Sequence, residues 1–185
     1  MINRQQKLAL NTCGYIRPFI ANTDQILDVG MGSGFVLDHI KRYIGAQIQG
    51  IDVIDISQTT TKPLIYDGIN IPFADNAFSV SICSFVLHHA SEQLRLLSEL
   101  ARVSQSAIII FEDIPETSFE IMLTKIHALF SVLQYRSNHL KFHSDMEWKN
   151  IFDQNGLTIA YEERISRKRD LAYPVNRRMY ILKKA

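Results

Sequence analysis

Apolar and polar positions fall in blocks along the chain, and block length separates strands from helices. Seven short blocks are rich in β-branched or aromatic residues and predict strands. They are "QILDV" (25–29), "QIQGIDV" (47–53), "KPLIYD" (62–67), "FSVSICSFVL" (78–87, running into a loop), "SAIIIFED" (106–113), "LTIAYEERI" (157–165) and "RRMYILKK" (177–184). The fifth is the most continuously apolar, so it is expected to be central and covered on both faces. Apolar residues at helical spacing predict helices over 3–20, 34–45, 91–103, 116–136 and 144–156. Gly45 and the Asn155-Gly156 pair read as helix stops. Ser91 reads as an N-cap above a stripe of Leu94, Leu97 and Leu100, and Ser144 or Asp145 as another cap.

Strand and helix alternate until the end, which predicts a parallel sheet with helices on both faces. The last two strands leave no room for a helix between them and are expected to run antiparallel. The 116–136 segment is an insertion into this alternation. Phe119, Met122, Leu123, Ile126, Leu129, Phe130 and Leu133 fall mostly on one of its faces. With Tyr135, His139 and Phe142 following, the stretch 116–143 reads as a lid over an apolar acceptor or a dimer surface. Docking on the core is the plainer alternative.

The chain has 185 residues, 46% hydrophobic and 21% charged, which suits one globular domain spanning 1–185, with residues 1–23 an N-terminal helical segment. The formal charge of +1 gives no general attraction to nucleic acid or a membrane surface, and no basic stripe with aromatics appears. The basic run Ser166 to Asp170 reads as solvated loop, with a site for an anionic substrate as the sharper alternative. There is no run of 18 apolar residues and no apolar leader, so a cytoplasmic protein without a membrane span is expected. Cys13 and Cys83 lie far apart and fit a reducing compartment. The six histidines are scattered and make no metal constellation.

The chemistry concentrates at "ILDVGMGSGF" (26–35), where a strand meets a helix through Gly30, Gly32 and Gly34. In a parallel sheet, ligands bind beyond the carboxyl ends of the strands. Glycines there let a ligand approach bare backbone, and the helix N-terminus offers unpaired N–H groups. Asp52 ends the next strand, about 20 residues on, the spacing of an acid that binds ribose hydroxyls. Asp67 ends the third strand and can accept from an adenine amino group. A glycine loop followed by two acids on successive strand ends describes a nucleoside pocket. The dinucleotide pattern is GxGxxG, whereas here the spacing is GxGxG with Phe35 in the other pattern's third position. A nucleoside carrying an amino acid fits better than a pyrophosphate.

On these residues the chain resembles the class I methyltransferases that use S-adenosylmethionine, in particular small ones acting on small molecules. The matching stretches are "ILDVGMGSGF", "GIDV", "YDGINIPFADNAFSVSICSFVLHHA" and "ELARVSQSAIIIFED", in order across 24–113. The resemblance implies a Rossmann-like α/β/α sandwich: a mostly parallel seven-stranded sheet with one antiparallel strand near the C-terminus. It implies S-adenosylmethionine as cofactor. Gly30, Gly32 and Gly34 would line its methionine moiety, and Asp28 would support that loop. Asp52 would bind the ribose, while Val53, Asp67, Gly68 and Ile69 would lie about the adenine and Phe85 would flank the cofactor. Met31 and Ser79 depart from the family's usual residues, and the segment after Asp52 has room for a clipped helix at most.

His88 and His89 follow the fourth strand at the ligand edge and are candidate catalytic groups. Glu112 and Asp113 end the fifth strand, and His143 precedes a capped helix; these are candidates for holding the acceptor. The expected function is methyl transfer by in-line displacement to a small, possibly hydrophobic acceptor, by a monomer or homodimer without nucleic-acid partners. Two alternatives stay open: a cofactor-binding but inactive subunit or scaffold, and a nicotinamide-dependent reductase.

Overall fold

The computed structural model describes residues 2–135, 140–165 and 174–185, with 127–135 described as helix backbone alone. Leu129, Phe130, Leu133, Tyr135, His139 and the 166–170 basic run therefore lie outside the described side chains. The elements are α1 (Arg4–Ile16), β1 (Gln25–Val29), α2 (Phe35–Tyr43), β2 (Gln47–Asp52), β3 (Leu64–Ile65), β4 (Phe78–Ser84), α3 (Gln93–Val103), β5 (Ser104–Asp113), α4 (Ser118–Tyr135), α5 (Asp145–Gln154), β6 (Leu157–Ile165) and β7 (Arg177–Lys184). One seven-stranded sheet has the order β3-β2-β1-β4-β5-β7-β6. Strands β1 to β5 pair in parallel, whereas β7 lies antiparallel to both β5 and β6. This is the Rossmann-like sandwich with an antiparallel strand near the C-terminus.

Alternate residues of the central strands feed two apolar layers. Leu27, Val29, Cys83 and Ile110 pack with Leu97 and Leu100 of α3 and with Trp148 and Phe152 of α5. Ile26, Ile82, Ile109 and Phe111 pack with Cys13 and Ile16 of α1 and Ile40 of α2. Strand β5 is buried on both faces from Ile108 onward, as its unbroken apolar run requires. Each fully buried side chain of this size contributes ~1.5–3 kcal/mol from the area removed from water.

Several expectations need correction. The third strand shrinks to Leu64–Ile65 at the exposed edge, because Pro63 just before it has no N–H to give a ladder. The segment between Asp52 and β3 forms no helix, within the expectation of a clipped helix at most. Helix α3 starts at Gln93 with Glu92 at the N-cap and no side-chain capping bond, so Ser91 does not cap it. Leu94 is exposed; the buried stripe is Leu96, Leu97, Leu100 and Val103. Ser144 does cap α5, through a capping box with Glu147.

At the start of α4 the apolar face does not dock on the core, the plainer of the readings offered. Phe119, Met122 and Ile126 are exposed, while Glu120 and Thr124 are buried. Glu120 accepts hydrogen bonds from the backbone N–H groups of Glu116 and Thr117, at 2.9 and 3.0 Å, and from Asn176 N–H at 3.0 Å. The inward face is thus held by hydrogen bonds rather than by apolar contact. Among the described residues, no helix is long and apolar enough to cross a membrane.

Candidate functional site

Beyond the carboxyl ends of β1, β2 and β4 lies a cavity of about 580 Å³. That volume lies within the range of small-molecule sites. Its floor is the glycine loop. Gly30 and Met31 donate their N–H groups to the Ile51 carbonyl at 2.9 and 3.1 Å, which ties the loop to β2. Gly30 has φ +75°, and a Cβ there would drive into the Val86 side chain. Gly34, also left-handed, begins α2, and a Cβ there would come within 2.6 Å of Thr59 Oγ1. Gly34 therefore serves the turn; it does not line the cavity as expected. A Cβ on Gly32 would find only a backbone oxygen at 3.9 Å, so this backbone lies open to an occupant.

Two carboxylates stand over this floor. Asp52 Oδ2 accepts from Gly32 N–H at 2.8 Å, and Oδ1 from Val53 N–H at 2.7 Å, so the end of β2 and the loop hold each other. Burial raises the Asp52 pKa, and the hydrogen bonds from Gly32, Val53 and Ile54 oppose that rise. Asp28, at the end of β1, is buried in the cavity wall and makes no side-chain hydrogen bond to a described residue. Burial, and then the charge of Asp52, push its pKa up to about 7.

Asp67 and Gly68 also line the cavity, together with exposed Val53. The Asp67 carboxylate closes its own turn. Its Oδ1 accepts from the N–H groups of Ile69 and Asn70, and its Oδ2 from Asn70 Nδ2. The side-chain bond from Asn70 and then these N–H donors hold its pKa low. Ile69 lies outside the cavity wall.

The opposite wall follows β4. Phe85 has φ +60°, unusual for an aromatic residue. Its N–H donates to the Phe111 carbonyl at 2.8 Å, and the Arg177 guanidinium lies 5.2 Å from its ring centroid. Arg177 Nε pairs with Asp113 at 2.9 Å, and both residues line the cavity. His88 and His89 line it too. Glu112 does not: it is fully buried behind His88, with Oε2 2.6 Å from His88 Nδ1. Its neighbour Asp113 points the other way, since successive residues of a strand face opposite sides. His143 is also outside the wall, with Nε2 2.8 Å from Gln93 Oε1 and its ring edge-on to Trp148. Direct contact of Glu112 or His143 with an acceptor is therefore not what the geometry offers.

Sequence reasoning missed the roof. Gln5, Leu8, Ala9 and Thr12 of α1 line the cavity. Their i, i+3, i+4, i+7 spacing marks one helix face, but nothing local says what that face meets. Arg177 was also missed, because its place depends on β7 pairing with β5.

Comparison with known proteins agrees with this arrangement. A family model described as a methyltransferase domain matches residues 27–110, which run from β1 into β5 and carry the glycine loop and Asp52. The match takes in a little under half of the chain, and over that stretch the chain is similar to methyltransferase domains. The chain is 31% identical over 85 residues to a demethylmenaquinone methyltransferase of Corynebacterium kroppenstedtii, an alignment covering 43% of this chain and 37% of that protein. It thus spans little more than a third of this curated relative. Solved structures share the fold at low identity. A SAM-dependent methyltransferase from Aquifex aeolicus superimposes with TM-score 0.67 at 17% identity, over 98% of this chain and 94% of that one. The magnesium protoporphyrin IX methyltransferase of Synechocystis gives 0.66 at 19% identity, over 98% and 83%. The [4+2]-cyclase SpnF gives 0.70 at 16% identity, over 97% and 80%. The Aquifex protein is named as SAM-dependent and the Synechocystis enzyme holds SAH; the cavity here has features that suit such a ligand, open backbone at Gly32 and a buried carboxylate on Asp28 without a described partner.

Proposed function

We propose that this protein is an S-adenosylmethionine-dependent methyltransferase that carries a methyl group to a small-molecule acceptor bound against the Phe85–His89 wall. The observation that carries the reading is the meeting of Asp28, Asp52 and the bare Gly32 backbone in one cavity roofed by α1. When bound there, S-adenosylmethionine supplies an electrophilic methyl carbon and a sulfur that leaves with the bond's electron pair.

Each residue then has a definite task. Asp52 keeps lone pairs beyond its two short N–H bonds and accepts from the ribose hydroxyls. Asp28 faces the ammonium of the methionine moiety, a partner its buried carboxylate lacks among the described residues. Gly30 and Gly32 present backbone to that same moiety. Val53, Asp67 and Gly68 border the adenine, and Phe85 fixes the depth of the cofactor. Holding the acceptor in line with the methyl group is the protein's main contribution, worth on the order of 7–11 kcal/mol in favourable cases.

A cavity of about 580 Å³ under a helical roof favours a small acceptor over a polymer. The 116–143 insert is better read as a packing surface than as a lid. None of its described side chains lines the cavity, and Phe119, Met122 and Ile126 face outward. The test is transfer of labelled methyl from S-adenosylmethionine to a metabolite panel, including demethylmenaquinone analogues suggested by the curated relative. Label in a small-molecule product supports the reading. Cofactor binding without transfer to any member favours the inactive-subunit alternative, and preferential binding of NAD overturns both.

A further inference from the structure

Behind the acceptor wall lies a buried pair that cofactor binding does not use. His88 and Glu112 side chains are 2% and 0% exposed, with Nδ1 and Oε2 2.6 Å apart. They come from different elements: His88 from the turn after β4, Glu112 from the end of the neighbouring strand β5. An ionised carboxylate can only accept, so Nδ1 carries the proton and donates it. In the neutral ring Nε2 then holds a lone pair. Nε2 makes no hydrogen bond to a described residue and is not among the sealed, unpartnered atoms, while His88 stands in the cavity wall. The lone pair therefore faces the cavity.

The ring is held as well as oriented. Phe142 stacks on it at 4.7 Å and 21°, and the His89 ring lies 4.2 Å away. The His88 carbonyl accepts from Lys141 N–H at 3.0 Å. The second Glu112 oxygen is sealed and has no partner among the described residues, so among them the hydrogen bond to His88 is the one compensation for a buried carboxylate. A purely structural histidine is more simply served by a backbone carbonyl than by a buried acid.

We propose that His88 is the general base, that Glu112 is its positioning residue, and that the acceptor carries a weakly acidic hydroxyl, a phenol or an enol. This rests on the methyl-transfer reading above. The proton passes from the acceptor oxygen to His88 Nε2, and the O–H electron pair stays on oxygen. That pair forms the new O–CH₃ bond while the S–CH₃ pair remains on sulfur, and Glu112 stabilises the imidazolium. An amine already has a free pair and needs no base, and an unactivated alcohol is far too weak an acid for imidazole. The charged and titratable groups facing His88 are His89 on its own turn, Glu112 and Asp113 of β5 and Arg177 of β7. Burial favours the neutral ring, Glu112 and Asp113 favour the imidazolium, and Arg177 opposes it; the acids prevail and raise the His88 pKa.

The test does not depend on turnover. Nitrogen-15 NMR of the wild-type protein with S-adenosylhomocysteine should show neutral His88 protonated at Nδ1 and bare at Nε2. Glu112→Gln should lower the His88 proton affinity at least ~10-fold, one pH unit. As a probe, 4-nitrophenol in the cavity should ionise with an affinity for its proton ~10-fold lower than in water, read from the phenolate absorbance, and His88→Gln should abolish that change. An Nε2–H tautomer, an indifferent His88 in Glu112→Gln, or a probe that does not bind or binds without enhanced ionisation overturns the assignment. Failure of wild-type protein to bind S-adenosylhomocysteine by calorimetry instead overturns the underlying methyl-transfer reading, and the two failures are read separately.

Discussion

Replacing Asp28 by Asn separates two demands on one carboxylate. The group is buried at the end of β1, and burial, then the charge of Asp52, raise its pKa from 3.8 to about 7. Between those values the folded protein keeps a proton that the unfolded chain has released. Stability therefore falls as pH rises through that window, and the loss is complete above it. At 1.36 kcal/mol per pH unit the full penalty is ~4 kcal/mol, and water in the open cavity screens it to ~2 kcal/mol. The Asn variant is free of this penalty. Calorimetric melting at about pH 5 should show the two proteins close together. At about pH 8.5 the variant should melt ~4–8 °C higher, from 2–4 °C per kcal/mol for a chain of this size. Affinity for S-adenosylmethionine should move the opposite way, falling ~10–100-fold with the loss of a charged partner worth ~1.5–3 kcal/mol. Parallel melting profiles at both pH values would show that Asp28 does not titrate as its surroundings require. Unchanged affinity would remove it from the cofactor site.

Three further outcomes follow from the packing. Gly30→Ala places a Cβ in the left-handed region and against Val86. It should cost ~1–2 kcal/mol in backbone strain alone, and an unchanged melting temperature refutes the close approach. Trp148→Ala empties a fully buried site between α5 and the sheet and should cost ~3–5 kcal/mol in denaturant unfolding; a loss below ~1 kcal/mol contradicts the described core. Glu99 accepts from Ile71 N–H and from Arg102, which in turn donates to the Phe73 and Ile71 carbonyls. Glu99→Gln should cost ~1–3 kcal/mol near neutrality. Because Arg102 and then the Ile71 N–H hold the Glu99 pKa low, that cost should shrink as pH drops below the ordinary carboxylate range, and a cost independent of pH refutes the clasp.

The sheet and most of its strands were legible because period and block length are local signals. Strands β6 and β7 match the expected 157–165 and 177–184. Their antiparallel pairing followed from the lack of space for a crossover. The edge strand β3 was overread because an apolar run has side chains suited to a strand, while Pro63 lacks the N–H to extend it towards the N-terminus. That α4 turns Glu120 inward was not legible, because Glu120 finds its partner 56 residues away, at Asn176. Asp52, Gly30 and Gly32 could be placed from sequence because strand ends in a parallel sheet share one edge, whereas Asp28 came only from the family resemblance. The His88–Glu112 pair could not be seen, since it needs the side-by-side placement of β4 and β5 and the inward turn of Glu112. Gln5 and Thr12 were overlooked for the same reason: a helix face shows in the spacing, and what it covers does not.

The central claim is that the hollow where β1 and β2 end binds the adenosyl amino acid through Asp52. Titration calorimetry with S-adenosylhomocysteine measures this most directly, comparing wild type with Asp52→Ala and, as a control outside the cavity, His143→Ala. The account predicts one site per chain in wild type, retained in His143→Ala and weakened at least ~10-fold in Asp52→Ala, the value of one charged hydrogen bond. Equal affinity in wild type and Asp52→Ala, or no heat of binding in wild type, would contradict it.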